Sequence, residues 1–230
     1  MSATARLAIL VALNEELAAL KAAFPKPEES GVILLRGGMG WNAASRATQS
    51  LLNSASPPDY ICSSGFCGGL VAGIEVGDLV IANSLIGPEP GQVFTPPALT
   101  PCAVKCHSGA LVTVKGAVFT GADKLALGQS RNAVAVDMET YAMVEAARGS
   151  KTKVFAIRTV SDGTGDDLPP EVGTFLTEDG RVRGTQILKF VAGGPRNVKT
   201  LWGLKSRSDK AGASLTAAWQ ALWPTLRNIL

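Results

Sequence analysis

Short apolar runs alternate with amphipathic stretches along most of the chain. Runs bounded by Gly, Pro or Asn are typical of buried strands, whereas longer stretches with apolar residues at helical spacing indicate helices. The pattern predicts strands at 6–13, 32–35, 60–63, 79–82, 111–114, 117–120, 133–137 and 154–160. It predicts helices at 15–24, 42–52 and 139–147. Strands that alternate with helices indicate parallel βαβ units, so we expect an α/β fold built on one sheet.

Two segments depart from this alternation. Residues 87–109 are rich in Pro and Gly and lack periodicity, which predicts a long loop. After Pro170 the pattern becomes helical, at 171–176, at 185–191 and from 197 to 230, with interruptions near Gly203 and Gly212. Because there is no internal repeat and no linker, we interpret residues 1–230 as a single domain with a helical C-terminal extension at 165–230.

Composition and charge narrow the class of protein. The chain is 46% hydrophobic and 18% charged, which is ordinary for a globular protein. No apolar run is long enough to span a bilayer, and the first one meets Glu15 and Glu16 rather than a signal-peptide cleavage site, so we expect a cytoplasmic protein. The net charge is only +3, but residues 181–230 hold nine Lys or Arg residues and a single acid, Asp209. A basic segment of this kind can meet nucleic acid, a membrane surface or an anionic substrate.

The cysteines and the single histidine suggest neither a metal centre nor a familiar catalytic triad. Four cysteines in a chain of this size are better interpreted as buried thiols than as a disulfide framework. Cys102, Cys106 and His107 lack the spacing of a zinc site, so we expect no metal. No nucleophile motif surrounds His107, which argues against Ser/His or Cys/His catalysis.

Acidic residues stand where three predicted strands end. Glu16, Glu139 and Asp162 each follow an apolar run. Ligands of open α/β sheets bind beyond the carboxyl ends of the strands, so these residues predict one pocket with three carboxylates. Such a pocket suits acid/base chemistry on a polyhydroxylated substrate. Each acid also has a structural alternative, because acids favour the first turn of a helix and Asp-Gly favours a turn.

Five short motifs carry a family resemblance. They lie at 12–17, 64–70, 76–80, 137–139 and 158–162. In this order they resemble the nucleoside phosphorylase and nucleosidase superfamily, with methylthioadenosine/S-adenosylhomocysteine nucleosidase as the nearest pattern. The resemblance implies a mixed, largely parallel central sheet flanked by helices. It also implies a homodimer, no organic cofactor, and water or phosphate as the second substrate.

The resemblance assigns roles to individual residues. Asp162 would protonate N7 of a purine with support from Ser161, for which it needs a raised pKa, and Glu16 would activate the attacking water. Asp137 is left out of the site, because an acid before a helix is explained by the helix dipole. The residues implied to bind substrate are Glu139, Met138, Gly65, Phe66 and Gly40.

The chain departs from the family pattern at three places, one of which is Gly37, where nucleosidases of this type have a serine. Phosphorylases of this superfamily usually have an arginine just before the second glycine-rich motif, where this chain has residues 61–64 without one. This departure favours water, or a phosphate site that is built differently. The aromatic residue that stacks on the base is missing from 120–124. Phe66, Phe94 and Phe119 are the candidates to replace it.

A narrower resemblance concerns the C-terminal third. Residues 167–170 and 178–182 and the turn at Pro195 look like the hopanoid-associated phosphorylases. That branch implies a lipid nucleoside, adenosylhopane. Trp202, Trp219 and Trp223 in the basic tail would then suit peripheral membrane contact, whereas the structural alternative is a set of covering helices.

Other functions remain as alternatives to compare with this one. A degenerate member of the fold could hold a nucleoside without cleaving it. A Rossmann-type dehydrogenase is excluded because no G-x-G-x-x-G motif follows the first strand. Nucleic-acid binding lacks a recognisable motif, so we expect a small-molecule nucleoside rather than DNA or RNA as the partner.

Overall fold

The computed structural model describes residues 7–99, 105–175 and 183–229. Its strands are β1 (Leu7–Val11), β2 (Val32–Arg36), β3 (Tyr60–Gly69), β4 (Leu79–Ile86), β5 (Val93–Phe94), β6 (Cys106–Thr113), β7 (Ala135–Asp137) and β8 (Lys153–Asp162). Its α-helices are α1 (Asn14–Ala23), α2 (Trp41–Leu52), α3 (Gly121–Arg131), α4 (Thr140–Ala146), α5 (Gly184–Ala192) and α6 (Pro195–Leu226). A 3₁₀-helix spans Pro170–Thr174.

The strands form a mixed sheet that is largely parallel, which confirms the predicted fold class. β2, β1, β3 and β8 pair in parallel in that order, as do β4 with β6 and β6 with β7. The antiparallel pairs are β3 with β7, β4 with β8 and β4 with β5. The pairs of β3, β8, β4, β6 and β7 close into a ring, as in a small barrel.

This ring brings three strand ends to one place. Gly68 of β3 pairs with Val136 of β7 on one side and with Asp162 of β8 on the other. Asp137 is the last residue of β7 and lies opposite Thr113 of β6. The acidic ends of β7 and β8 therefore flank the same stretch of β3.

Helix α6 covers one face of the sheet and is part of the core. Trp219, Leu215 and Leu222 are buried, and the indole Nε1 of Trp219 donates a hydrogen bond of 2.9 Å to Oγ of Ser64 in β3. Thr159 Oγ1 of β8 donates to the carbonyl of Ala211. The C-terminal extension thus helps to hold the two strands that carry the site.

Several predicted boundaries were wrong, each for a physical reason. The strand predicted at 60–63 continues through the glycine-rich stretch to Gly69, because β3 pairs with β8 as far as Gly68. Residues 117–120 are not a strand. They precede the unpredicted helix α3, where Thr120 Oγ1 accepts from the backbone N–H of Asp123 as an N-cap. The predicted loop at 87–109 contains β5 and the first part of β6.

The C-terminal helices also differ from the prediction. Helix α6 runs through Gly203 and Gly212 without interruption. A glycine costs about 1 kcal/mol inside a helix, which the apolar packing of this long helix outweighs. The predicted helix at 171–176 is represented by the 3₁₀-helix, whereas residues 176–182, which include the motif at 178–182, lie outside the described residues. No α-helix within the described ranges is both long and apolar enough to cross a membrane.

Candidate active site

A pocket of about 170 Å³ opens where the ends of β7 and β8 meet β3. Its acidic side chains are Glu16, Asp137, Glu139 and Asp162. Ser161, Met138 and Phe66 also line it. The remaining wall is apolar and includes Val114, Ala117, Val118 and Leu168.

Glu16 is held by backbone donors from two parts of the chain. It lies in the first turn of α1, and its Oε2 accepts from the N–H groups of Ala12 and Leu13, both at 2.8 Å. Its Oε1 accepts from the N–H of Phe66 in β3 at 2.7 Å. Burial raises the pKa of Glu16 above its usual value, against the opposing effects of Arg158 and these three hydrogen bonds.

Gly65 makes room for that carboxylate. Its φ is +121°, and a Cβ at this position would lie 2.5 Å from the Glu16 carboxyl carbon. Glycine is therefore required both by the backbone conformation and by the close approach of Glu16. Gly68 and Gly69 have no positive φ, and the N–H of Phe66 in the same stretch donates to Glu16.

Glu139 is the N-cap residue of α4 and also lines the pocket. Its Oε1 accepts from the N–H of Gly40 at 2.8 Å, and its Oε2 lies 3.5 Å from Arg158 Nη2. Burial, with help from the nearby Asp137 and Glu16 charges, raises the pKa of Glu139 to about 7, although Arg158 opposes the shift. A carboxyl group with this pKa exchanges its proton near neutral pH.

Arg158 is the buried cation that balances these acids. The residue is 1% exposed, and its Nη2 contacts Asp137 Oδ2 at 2.5 Å and Ser63 Oγ at 2.7 Å. Burial opposes its charge, but the neighbouring Asp137, Glu139 and Glu16 outweigh burial and raise the pKa of the guanidinium. Because a buried carboxylate cluster without a cation would be strongly unfavourable, Arg158 is what allows these acids to share one pocket.

Asp137 is more than the helix-terminal acid predicted from the sequence. Its Oδ2 does accept from the N–H of Thr140 at 3.1 Å, as a helix cap does. It also receives Thr113 Oγ1 at 2.7 Å and forms the ion pair with Arg158. It therefore belongs to the framework that orients Arg158 beneath the pocket.

Ser161 and Asp162 form a hydrogen-bonded pair that lines the pocket. Ser161 Oγ donates to Asp162 Oδ1 at 2.6 Å and also lies 3.3 Å from the carbonyl of Cys67. Asp162 Oδ2 is 2.6 Å from Nζ of Lys124, a residue of α3. The acid is thus held through both of its oxygens.

The buried carboxyl of Glu139 leads to a prediction about stability. Because its pKa is raised in the folded state, its contribution to stability is complete below about pH 4.5 and is lost as the pH rises through about 7. We expect Glu139→Gln to remove up to about 3 kcal/mol of this pH dependence. Urea unfolding at about pH 5 and about pH 8 measures the change. Glu15→Gln, at the exposed neighbour of Glu16, is the control, and parallel pH profiles for wild type and Glu139→Gln would contradict the assignment.

The structure brings together most of the residues that the sequence singled out. Six line the pocket: Glu16, Phe66, Met138, Glu139, Ser161 and Asp162. The other two act from behind it, since Gly40 donates to Glu139 and Gly65 makes space for Glu16. Sequence reasoning missed the supporting roles of Asp137, Arg158 and Lys124. Charged residues are usually exposed, and nothing in the sequence around these three indicates that they are buried.

The lining of the pocket reflects two departures from the family pattern, the missing arginine and the missing stacking aromatic. Among the described residues that line the pocket there is no Lys or Arg. Of the three aromatic candidates for base stacking, only Phe66 lines the pocket. The other apolar lining residues include the aliphatic side chains of Val114, Val118 and Leu168.

The cysteine and histidine segment lies apart from the pocket. His107 Nε2 is 2.8 Å from Asp78 Oδ2, and Cys102 lies outside the described residues. No group of three or more His, Cys, Asp or Glu side chains within the described ranges is arranged to hold a metal ion. Cys62 and Cys67 are buried thiols, as predicted, and burial raises the pKa of both.

The pocket gathers carboxylates at converging strand ends of a mixed sheet, an arrangement suited to acid/base catalysis. The chain belongs to the phosphorylase superfamily, whose family model matches residues 6–191. The family assignment from five short motifs is thereby confirmed.

Curated relatives agree with this assignment. The chain is 26% identical over 190 residues to the 5'-methylthioadenosine/S-adenosylhomocysteine nucleosidase of Shewanella loihica, a match that covers 71% of this chain and 82% of the relative. It is 28% identical over 186 residues to the protein of the same name from Aeromonas salmonicida, covering 70% and 80%.

Solved structures share the fold. The 5'-methylthioadenosine/S-adenosylhomocysteine nucleosidase of Neisseria meningitidis, in complex with methylthio-immucillin-A, superposes with a TM-score of 0.65 at 17% identity, covering 94% of this chain and 99% of that one. The futalosine hydrolase of Helicobacter pylori gives 0.64 at 14% identity, covering 96% and 98%. At these identities the likeness establishes the fold alone.

Proposed function

We propose that the protein hydrolyses the N-ribosyl bond of an adenine nucleoside, with water as the nucleophile. The observation that carries this proposal is the convergence of Glu16, Glu139 and Asp162 on one pocket. The bond breaks through a transition state with positive charge on the sugar. Buried carboxylates stabilise such charge, and a positioned acid assists departure of the base.

Glu16 binds and activates the attacking water. A carboxylate offers about four acceptor positions, and backbone N–H groups use three of those on Glu16. The remaining position, on Oε1, is available for a water molecule. Because burial raises the pKa of Glu16, this carboxylate is a stronger base than an exposed one.

Glu139 interacts with the ribose of the nucleoside, and Asp162 interacts with its base. Glu139 accepts hydrogen bonds from the ribose hydroxyls, with Met138 packed beside the sugar. Asp162 faces the base and delivers a proton to it, with Ser161 orienting the carboxyl group. Phe66 and the aliphatic wall enclose the base.

The charge of the pocket favours water over phosphate. A phosphate ion would meet several carboxylates and no Lys or Arg among the described lining residues. Both terminal nitrogens of Arg158 donate to protein acceptors, and the residue is 1% exposed and does not line the pocket. An anion in this pocket would therefore lack a partner of opposite charge.

Adenine release from a panel of nucleosides, with and without phosphate, tests this function. We expect free ribose products and no need for phosphate. Phosphate-dependent release of a sugar phosphate would instead indicate a phosphorylase. Nucleoside binding without any turnover would indicate the alternative, a non-catalytic nucleoside-binding protein.

We further propose a nucleoside that carries an apolar group on its ribose, of which adenosylhopane is the candidate. An apolar groove of about 410 Å³ begins at Leu13, which also lines the carboxylate pocket. Its other apolar residues are Val172, Phe175, Ile187, Leu201 and Leu204. The groove lies between the first loop and the C-terminal helices, and it gives an apolar substituent a place beside the sugar.

The same helices present an exposed apolar and basic surface. Trp202 is 73% exposed and Leu188 is 69% exposed. Lys199, one turn from Trp202, is exposed as well. This combination supports peripheral contact with an anionic membrane, where a lipid-linked substrate would reside.

Removing this surface should weaken vesicle binding. We expect the double variant Trp202→Ser/Lys199→Gln to bind anionic vesicles less tightly, because a basic residue near the surface contributes about 1 kcal/mol and the indole adds apolar contact. Co-sedimentation at low salt measures the effect, and Arg227→Gln, at the far end of α6, is the control. Arg207 is left intact because it pairs with Asp166 near the pocket. A wild-type protein that does not sediment with vesicles would contradict membrane contact.

A homodimer is also proposed. An open cavity of about 690 Å³ adjoins the carboxylate pocket, and the two share Met39 and Met138. A second copy placed over this cavity would close the ribose end of the site to solvent. Analytical ultracentrifugation tests the dimer directly.

A further inference from the structure

Lys124 is a buried lysine in direct contact with the proposed catalytic acid. It is 0% exposed, and its Nζ lies 2.6 Å from Asp162 Oδ2. Its other acceptors are the carbonyl oxygens of Gly163 at 3.1 Å and Asp166 at 2.8 Å. An ammonium group has three N–H donors, so every donor of Lys124 has an acceptor. Because burying a charge without a partner is very unfavourable, Asp162 is what permits a charged lysine here.

The hydrogen bonds around Asp162 place a constraint on the proton. With Lys124 as an ammonium, one carboxylate oxygen accepts from Nζ and the other accepts from Ser161 Oγ. A carboxylate that accepts at both oxygens has no proton of its own to give to a base. The nearest group that holds a transferable proton is the Lys124 ammonium.

Ser161 can adapt to a change in protonation. Its Oγ lies 2.6 Å from Asp162 Oδ1 and 3.3 Å from the carbonyl of Cys67. If Oδ1 carries a proton, the Ser161 hydroxyl can turn towards Cys67 and accept from the acid. The pair therefore has a hydrogen-bonding arrangement for each protonation state.

We propose that Lys124 supplies the proton that Asp162 delivers to the leaving base, a step that rests on the nucleosidase function proposed above. The Lys124 ammonium gives a proton to Asp162, and the acid gives a proton to the base nitrogen. As the C–N bond breaks, its electron pair goes to the base. Water attacks the sugar, and its proton goes to Glu16. Lys124 becomes a neutral amine and regains a proton from solvent through Asp162 after the products leave, while Glu16 returns its proton to solvent.

Other charged groups near the pair leave this assignment intact. Asp166 meets Lys124 only through its carbonyl, and its carboxylate pairs with Arg207 of α6 at 3.2 Å. Glu16 and Asp137 line the same pocket, and the Cys67 thiol of β3 is buried with its pKa raised. Lys124 is therefore the only cation within ion-pair distance of Asp162 among the described residues.

The test is the pH profile of kcat for Lys124→Met. Wild-type turnover needs one proton on the Lys124–Asp162 pair, whereas the variant needs a proton on Asp162 alone. We expect kcat to fall by about 10²-fold near neutral pH and the loss to grow as the pH rises. The high-pH limb of the profile then moves to lower pH. A limb that stays in place or moves to higher pH overturns the proposal, because a structural or purely electrostatic role gives those outcomes.

Two further variants keep the test decisive if Lys124→Met is unstable. Lys124→Arg preserves the charge but cannot release a proton, so we expect it to remain at least about 10-fold slower than wild type. Wild-type turnover by a folded Lys124→Arg overturns the proposal. In an Asp162→Asn background, Lys124→Met should add little further loss, because both act in one step.

The controls separate this inference from the function itself. Lys105→Met removes another ion-paired lysine, which is 2.9 Å from Asp78 and outside the pocket, and it should leave the profile unchanged. Thermal unfolding of each variant reports loss of the loop contacts to Gly163 and Asp166. Wild-type protein that releases no base overturns both proposals, whereas an active wild type with an unmoved limb in Lys124→Met overturns this one alone.

Discussion

Replacing Asp162 by Asn is expected to lower kcat for adenine release by about 10²–10⁴-fold, the usual contribution of a general acid. An amide has nearly the shape of a carboxyl group but cannot deliver a proton to the base. Its oxygen can still accept from Lys124 Nζ, which in the wild type lies 2.6 Å from Asp162 Oδ2. The fold should therefore survive, with a loss of stability smaller than the about 3–5 kcal/mol expected when a buried ion pair loses one partner entirely.

Single-turnover kinetics measure this change, because they isolate bond cleavage from product release. Asp123→Asn is the matched control, since Asp123 lies on α3 next to Lys124 but is exposed. Thermal unfolding of both variants shows whether the fold is retained. Turnover by folded Asp162→Asn close to that of wild type would remove Asp162 from the role of acid.

The second large effect is expected for Glu16→Gln, again about 10²-fold or more in kcat. Three backbone N–H groups point at the Glu16 carboxylate, and a glutamine has a single acceptor oxygen to offer them. The variant therefore loses the general base and leaves a buried backbone N–H group without a good acceptor. The mismatch should cost about 1–3 kcal/mol of stability in addition to the kinetic loss.

Glu15 provides the control at the adjacent position. It is exposed, whereas Glu16 is 2% exposed. Glu15→Gln should leave both kcat and the unfolding free energy close to those of wild type. Equal effects of the two substitutions on kcat would show that Glu16 has no special part in activating water.

The elements that were predicted well have a strong local signal. The apolar pattern alone predicts strands such as Leu7–Val11 and helices such as Trp41–Leu52. Helix α3 was missed although Thr120 is a good N-cap, because this polar helix has few apolar positions to reveal it. Strand β3 was cut short because its last residues are glycines, which have low strand propensity but pair here with β7 and β8.

The candidate acids could be found from sequence because each stands just beyond an apolar strand. The buried residues that support these acids could not be found from the sequence. Arg158 sits inside β8, and only the closed ring of strands places its guanidinium against Asp137. Lys124 faces Asp162 only because α3 packs its start against the loop at 163–167, where the N–H of Gly121 donates to Asp167.

The basic C-terminal segment also shows what the sequence could predict and what only the fold decided. Its composition is compatible with a membrane surface or with a cover for the core, and the structure places its tryptophans in different environments. Trp219 is buried and donates to Ser64, whereas Trp202 is exposed. Three tryptophans in one helix are equivalent in composition but not in orientation, because a helix turns each side chain to a different face.

The sequence by itself determined the α/β class, the family and the acids at the strand ends, because these depend on local periodicity and on short motifs. The tertiary structure decided which acids share a pocket, which cations balance them, and why Gly65 must be a glycine beneath Glu16. The physical reason is that burial of charge depends on neighbours far apart in the chain. Arg158 lies 21 positions from Asp137, and Lys124 lies 39 positions from Gly163, yet each pair is in contact.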